Sequence, residues 1–185
     1  MEVIIGQLEA SSEKALKSLL SNAIVDIRCS CVSLTYMSPV ITCSFMSIRL
    51  SNNKFLTLEF DWGDTQVGRN DVYYLEAELT ETPSVVQAEI SEDGKSWNYR
   101  SDYFSYDLGY REKACAVKIL SETYEDEINN ERISYDAGLV VSFESGKELA
   151  IVHQDSIVAG LKFSSLPEVN SELVEPYVVR KTLLK

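Results

Sequence analysis

The sequence has few of the residues on which common enzyme motifs depend. It contains one histidine, 8 glycines, 4 prolines and 4 cysteines in 185 residues. The glycines are scattered singly, so neither a phosphate-binding loop nor a dinucleotide-binding fingerprint is present, which disfavours nucleotide enzymes. No apolar run reaches the roughly 18 residues that span a bilayer, and residues 1–7 lack the basic start and apolar stretch of a signal peptide. We therefore expect a cytoplasmic protein with no membrane partner.

The single histidine and the cysteines form no recognisable catalytic or metal-binding pattern. Any Ser-His-Asp or Cys-His arrangement would need His153, but the chain has no nucleophile-elbow sequence and neither neighbour of His153 is a nucleophile. Cys29 and Cys31 are separated by one residue, which is not a zinc-ligand spacing. We interpret them, with Cys43 and Cys115, as buried reduced thiols. We accordingly expect no enzymatic activity, no catalytic residue, no metal and no cofactor.

Positive charge is scarce as well. There are 17 Lys and Arg against 29 Asp and Glu, a net charge of −12. Binding to the nucleic-acid backbone needs clustered Lys and Arg, so this composition disfavours a nucleic-acid partner. Residues 59–93 hold ten acidic residues against Arg69 alone, a net charge of −9, and residues 120–136 carry −5. These acids are either the solvated side of strands and loops or a negative patch that steers a basic partner.

The hydrophobic pattern, in a chain that is 45% hydrophobic, predicts a β-rich domain long enough to bury a full core. One amphipathic helix is expected at 12–22, capped by Ser11 or Ser12. From Val25 onward the apolar residues alternate with polar ones, which is typical of half-buried strands. We predict a mainly β fold, an antiparallel β-sandwich or partly open barrel of hairpins with one N-terminal helix. The alternative is an α+β fold with the helix across one sheet.

Turn residues divide this pattern into strands and hairpins. The predicted strands are 25–31, 40–50, 55–62, 72–79, 85–90, 114–122, 138–144, 148–154 and 158–163, and 124–132 is predicted as a long polar loop. Residues 1–185 are expected to form a single domain. The hairpins at 47–58 and 140–151 resemble each other, so the domain contains either two similar halves, about 24–90 and 114–163, or only hairpins with shared turn chemistry.

Two further segments suggest binding sites. Asp61, Asp64 and Asp71 lie near Gly63 in the sequence, and several carboxylates beside a glycine could bind a hard cation. Their spacing fits no known cation-binding loop, so a solvated acidic loop is the better interpretation. The segment 97–111 carries six aromatic residues and two arginines. Such a segment forms part of the core, a protein-binding surface or a sugar-binding surface.

The stretch 135–151, with the sequence YDAGLVVSFESGKELAI, resembles small uncharacterised bacterial β-rich proteins of the kind found beside polymorphic toxins as immunity proteins. The resemblance covers about fifty residues, from 114 to 163, and consists mostly of hairpin sequence. It implies a cytoplasmic protein that binds and blocks a toxin and has no catalytic residues.

Our leading hypothesis is a non-enzymatic acidic binding protein, of the immunity type, that neutralises a basic toxin by direct binding. The alternatives are a carbohydrate or small-ligand binding module that uses an aromatic-lined surface, and a structural or assembly subunit. Four aromatic residues are the predicted anchors and five acids the predicted steering charges. The anchors are Trp62, Trp97, Tyr99 and Tyr103, and the charges are Asp61, Asp64, Asp71, Glu76 and Glu78.

Overall fold

The computed structural model describes residues 1–30, 32–34, 38–65, 68, 70–84, 104–154 and 160–185. Within these ranges the chain forms strands and three short helices. The strands are β1 (Glu2–Gly6), β2 (Ile24–Ser30), β3 (Ser33–Leu34), β4 (Ile41–Cys43), β5 (Phe45–Leu50), β6 (Phe55–Asp64), β7 (Asp71–Thr80), β8 (Phe104–Tyr106), β9 (Ala114–Asp126), β10 (Glu131–Phe143), β11 (Glu148–Gln154), β12 (Gly160–Ser164) and β13 (Val178–Leu184). The helices are α1 (Ala10–Leu16), α2 (Ser18–Ser21) and α3 (Pro167–Val174).

The strands form two sheets, which confirms the predicted mainly β fold. The large sheet has the order β13-β9-β10-β11-β12-β4-β3, with β1 added to β10, and the small sheet has the order β7-β6-β5-β2-β8. All pairings are antiparallel except the parallel pair of β1 and β10. Alternate residues of each sheet are buried in one shared core, as a sandwich requires.

The predicted strand 40–50 is two strands that belong to different sheets. β4 pairs with β12 in the large sheet, whereas β5 pairs with β2 and β6 in the small one. The chain passes from one sheet to the other at Ser44, whose backbone N–H donates to the Ser30 carbonyl at 3.2 Å. The apolar run 40–50 gives no sign of this change of sheet, because both of its halves face the same core.

The predicted N-terminal helix is present and begins two residues earlier than expected. Its apolar residues Leu16 and Leu19 are fully buried. Neither serine caps it: Glu9 occupies the cap position without a side-chain hydrogen bond. Ser12 instead accepts the backbone N–H of Ala77 at 3.2 Å, so it fastens α1 to the free edge of β7. An edge donor that would otherwise lack a partner is thereby satisfied.

The prediction of a polar loop at 124–132 is wrong. β9 continues to Asp126 and β10 begins at Glu131, so only residues 127–130 form the turn. The polar residues of this region are strand residues because β10 is paired on both sides, with β9 and with β1. Their side chains alternate with buried ones such as Ile133, which is inaccessible to solvent.

The sequence pattern predicts no helix or strand beyond residue 163. α3 packs Leu173 and Val174 on Val140 and Val152, on the side of the large sheet that faces away from the main core. β13 then adds a strand to β9. The two similar hairpins lie in different sheets, one formed by β5 and β6 and one by β10 and β11; the division into two halves stays a prediction. The predicted strand 85–90 lies outside the described residues, and no helix in the described ranges is long and apolar enough to cross a membrane.

Candidate functional site: an acidic face on the small sheet

Carboxylates converge on the solvent-facing side of β6 and β7. The register places Glu59 directly opposite Glu76, Thr57 opposite Glu78 and Asp61 opposite Tyr74. Successive residues of a strand point to opposite sides, so these side chains share one side of the sheet while Leu58 and Phe60 face the core. We call the four carboxylates Glu59, Asp61, Glu76 and Glu78 the acidic face.

In the part of the chain that the structure describes, the acidic face lacks a paired cation. No ion pair joins any of its four carboxylates to a described residue. Arg28 and Arg49 lie on the same side of the small sheet, but Asp26 accepts from both, at 3.3 Å from Arg28 Nε and 2.7 Å from Arg49 Nε. Both arginines are therefore bonded to Asp26.

Repulsion among these carboxylates acts on the carboxyl group of Glu59. Burial raises the pKa of its carboxyl, and the neighbouring carboxylates of Glu76, Asp61 and Glu78 raise it further, in that order. Both causes act because the charged form loses water and gains no opposite charge. A cation that entered this region would remove the repulsion and make the ionised form of Glu59 more favourable.

A groove of about 820 Å³ runs beside the acidic face. One wall is formed by residues 74–79 of β7 and by outward residues of β6, and the other by α1 and the chain that leads into it. Its surface is not only acidic, because the side chains of Ile5 and Tyr74 are 59% and 40% exposed. Among the described residues of its lining, Lys14 is the only basic one. The groove thus combines negative charge with apolar contact surface.

Tyr74 was not among the predicted site residues. It was overlooked because the prediction considered only the acids and the tryptophans of this region. The available signal was periodicity: Tyr74, Glu76 and Glu78 alternate with buried Leu75 and Ala77, so they share one side of β7.

The other predicted residues lie elsewhere. Asp64 and Asp71 are exposed and face each other where β6 and β7 meet the connecting loop, and neither lines the groove. Trp62 is 49% exposed, but it pairs with Tyr73 and follows the core-facing alternation, so it lies on the opposite side of the sheet from Asp61. Three predicted anchors lie outside the described residues, namely Trp97, Tyr99 and Tyr103.

The described part of the aromatic segment belongs to the core. Phe104, Tyr106 and Tyr110 pack against the main cluster of buried side chains. The ring of Tyr110 meets Phe143 edge-on at 5.1 Å, and the Lys147 ammonium lies 4.0 Å from its centre. Burial, followed by the charge of nearby Glu112, raises the pKa of Tyr110 to about 12. These three side chains therefore offer little surface for a sugar or a protein.

The loop acids form no metal centre in the described part of the chain, where no three residues of the types His, Cys, Asp and Glu are grouped to hold an ion. Asp61 accepts the backbone N–H of Trp62 at 2.8 Å, which fixes its carboxylate locally. The interpretation of these acids as solvated side chains agrees with their exposure.

Cys29, Cys43 and the histidine are core residues. Cys29 and Cys43 are buried free cysteines and Cys115 is partly buried, while Cys31 lies outside the described ranges. A hydrogen bond with the Cys43 thiol, and then burial, raise the pKa of Cys29, so its thiol stays protonated and unreactive. His153 is 3% exposed and its ring centre lies 3.8 Å from that of Tyr73. Both observations agree with a structural role.

No protein-family model, no curated protein and no solved structure matches this chain. The candidate site therefore rests on its own geometry and charge.

Proposed function

We propose that this protein is a non-enzymatic binding protein that receives a basic segment of a partner protein in the groove beside the acidic face. The observation that carries the proposal is the convergence of four carboxylates on one side of β6 and β7, none of which forms an ion pair with a residue in the described part of the chain. Like charges on directly opposite residues destabilise a sheet, so Glu59 and Glu76 cost the free protein stability. A cationic partner would convert this cost into binding energy and would be steered by the same field.

A more specific form of the proposal is that the partner is a basic toxin and that this protein neutralises it in the cytoplasm, as an immunity protein does. The net charge of −12 and the resemblance of residues 114–163 to immunity-type proteins support this form. The free thiols of Cys29, Cys43 and Cys115 suit a reducing compartment. Binding alone suffices for such a role, and no catalytic step is part of the proposal.

The test begins with capture of protein partners from the native host and continues with affinity measurements by calorimetry. The double variant Glu59→Gln/Glu76→Gln should weaken binding by at least about tenfold, because it removes two charges that face the partner. The matched control is Glu168→Gln/Glu172→Gln, which removes two exposed charges from α3. We expect the control to bind within about twofold of the parent protein, since exposed charges more than a Debye length away are screened.

Equal loss of affinity in both double variants would show that net charge alone attracts the partner and would contradict the groove as the binding site. The absence of any basic partner, together with a gene neighbourhood that encodes no toxin, would contradict the proposal as a whole. For the toxin form, the parent protein should protect a host that expresses the captured partner, and Glu59→Gln/Glu76→Gln should protect it less.

A further inference from the structure

A second set of charged residues lies behind α1 and is fully paired. Lys181 Nζ lies 2.5 Å from Glu13 Oε2, and Arg180 Nη2 lies 3.6 Å from Glu13 Oε1. Arg180 also binds Asp136 through two contacts, Nε to Oδ1 at 2.6 Å and Nη2 to Oδ2 at 2.7 Å. We call Glu13, Asp136, Arg180 and Lys181 the α1 network. It connects α1 to β10 and β13 of the large sheet.

An irregularity in β13 directs the side chain of Arg180 toward Asp136 and Glu13. The register of β13 on β9 is interrupted between Val179 and Lys181, so Arg180 is a bulge residue. A bulge turns a side chain out of the regular alternation. Asp136 stands beside a bulge in β10, is completely buried and also accepts the backbone N–H of Leu8 at 2.8 Å. The Asp136 carboxylate therefore joins the chain just before α1 to the C-terminal strand.

α1 is held on its other side by the small sheet, through the bond between Ser12 and the N–H of Ala77. Ser11, Ser12 and Lys14 line the groove, whereas Glu13 does not. The helix is thus a wall of the groove on one side and part of a salt-bridge network on the other. Seven residues are too few for a helix to be stable by itself, so its position depends on tertiary contacts, namely the burial of Ala15 and Leu16 and these polar bonds.

We propose that the α1 network positions α1 as the wall of the groove, so that Glu13, Arg180 and Lys181 control partner binding without touching the partner. This inference rests on the proposed function. Glu13, Arg180 and Lys181 are positioning residues, and they act through the place of α1 relative to β7.

The decisive variant is Lys181→Met, because positioning and simple electrostatics predict opposite results. Loss of a cation makes the protein more negative, so electrostatics alone predicts tighter binding of a basic partner. Positioning predicts weaker binding, by roughly threefold, since one of the contacts that hold Glu13 is lost. The matched control is Lys118→Met, which removes one cation and its ion pair with Glu148 at 3.3 Å. The control should bind at least as tightly as the parent protein.

A second measurement does not require the partner. Hydrogen exchange of the α1 amides, and of the N–H of Lys17 that follows α1 and donates to the Glu13 carbonyl, should become several times faster in Glu13→Gln than in the parent protein. Leu183→Ala controls for general loss of stability, because Leu183 is a buried residue of β13 outside the network. It should lower the melting temperature without selectively accelerating exchange in α1 and without weakening binding at a temperature where all variants are folded.

Unchanged or tighter binding by Lys181→Met would overturn the inference while leaving the proposed function intact. Unchanged exchange of α1 in Glu13→Gln would overturn it as well. If the parent protein binds no basic partner, the proposed function fails first and the inference fails with it. Exchange in α1 would then report only whether the network holds the helix.

Discussion

The acidic face and the α1 network use the same kind of side chain in opposite ways. In the network, hydrogen bonds and charge from Lys181 and Arg180 lower the pKa of Glu13, although burial opposes this. On the acidic face, burial and three neighbouring carboxylates raise the pKa of Glu59. The first arrangement stabilises the folded chain, and the second destabilises it because like charges lie close together. The two regions lie on either side of α1, which lines the groove and carries Glu13.

The largest expected effect is on the buried member of the network. Asp136→Ala should lower the free energy of unfolding by about 3 kcal/mol, because it leaves Arg180 and the Leu8 N–H without their acceptor in a buried position. Urea denaturation followed by circular dichroism measures the change. Glu78→Ala, which removes an unpaired carboxylate, should change it by less than about 0.5 kcal/mol. Similar losses of unfolding free energy in Asp136→Ala and Glu78→Ala would contradict the view that the α1 network stabilises the fold and the acidic face does not.

The pH dependence should have opposite signs in the two regions. Glu13 has a lowered pKa, so its contribution is present above the ordinary value of 4.5 and is lost as the pH falls through the lower folded value. Glu13→Gln should therefore cost up to about 1 kcal/mol near pH 7, and the cost should shrink progressively as the pH falls below 4.5. Urea denaturation of parent and variant over this pH range measures the difference. A cost that does not depend on pH would contradict the pairing of Glu13.

Glu59 has a raised pKa, so the folded protein takes up its proton before the unfolded chain does, and stability is regained as the pH falls through the folded value toward 4.5. Glu59→Gln should be more stable than the parent protein near pH 8, by less than about 1 kcal/mol, and the difference should vanish near pH 4. The same denaturation series, with Glu172→Gln as the control, tests this. A variant that is less stable at pH 8 would show that Glu59 is paired in solution.

The smallest effect is expected from the reversal of one charge on the acidic face. Glu76→Lys places an ammonium directly opposite Glu59 and should add about 0.5 kcal/mol of stability. Glu78→Lys faces Thr57, so it should add less. Thermal unfolding at low ionic strength compares the two variants, and both should bind a basic partner less well. Equal stabilisation would mean that the register matters less than the total charge.

The sequence predicted those features that depend on local pattern. The alternation of Leu56, Leu58, Phe60 and Trp62 with Thr57, Glu59 and Asp61 predicted one apolar and one acidic side for β6. The structure buries Leu56, Leu58 and Phe60, whereas Trp62 on the same side is 49% exposed. The helix near Ser12 and the hairpin of β10 and β11 also followed from local periodicity and turn residues. The acids at 124–132 were misassigned to a loop, because a strand paired on both sides tolerates polar residues that no local pattern distinguishes from a turn.

Part of the candidate site was predictable and part was not. Glu76, Glu78 and Asp61 were predicted from the density of acids, and the structure brings them together. The same density of acidic residues also predicted Asp64 and Asp71, and aromatic content predicted Trp62. These three residues lie away from the groove. The groove was not predictable at all, since its second wall is α1, whose last residue precedes the first residue of β6 by 39 positions.

The sequence by itself determined that the chain builds a β-rich core and that its negative charge is concentrated at 59–93, because both follow from residue type and short-range spacing. Only the tertiary structure decided which acids are paired. Lys181 and Arg180 pair with Glu13, which is more than 160 residues away in the sequence, and Asp26 accepts from Arg28 and Arg49, whereas no described residue forms an ion pair with Glu59 or Glu76. Ion pairing acts over a few ångströms in space, and the fold alone sets those distances.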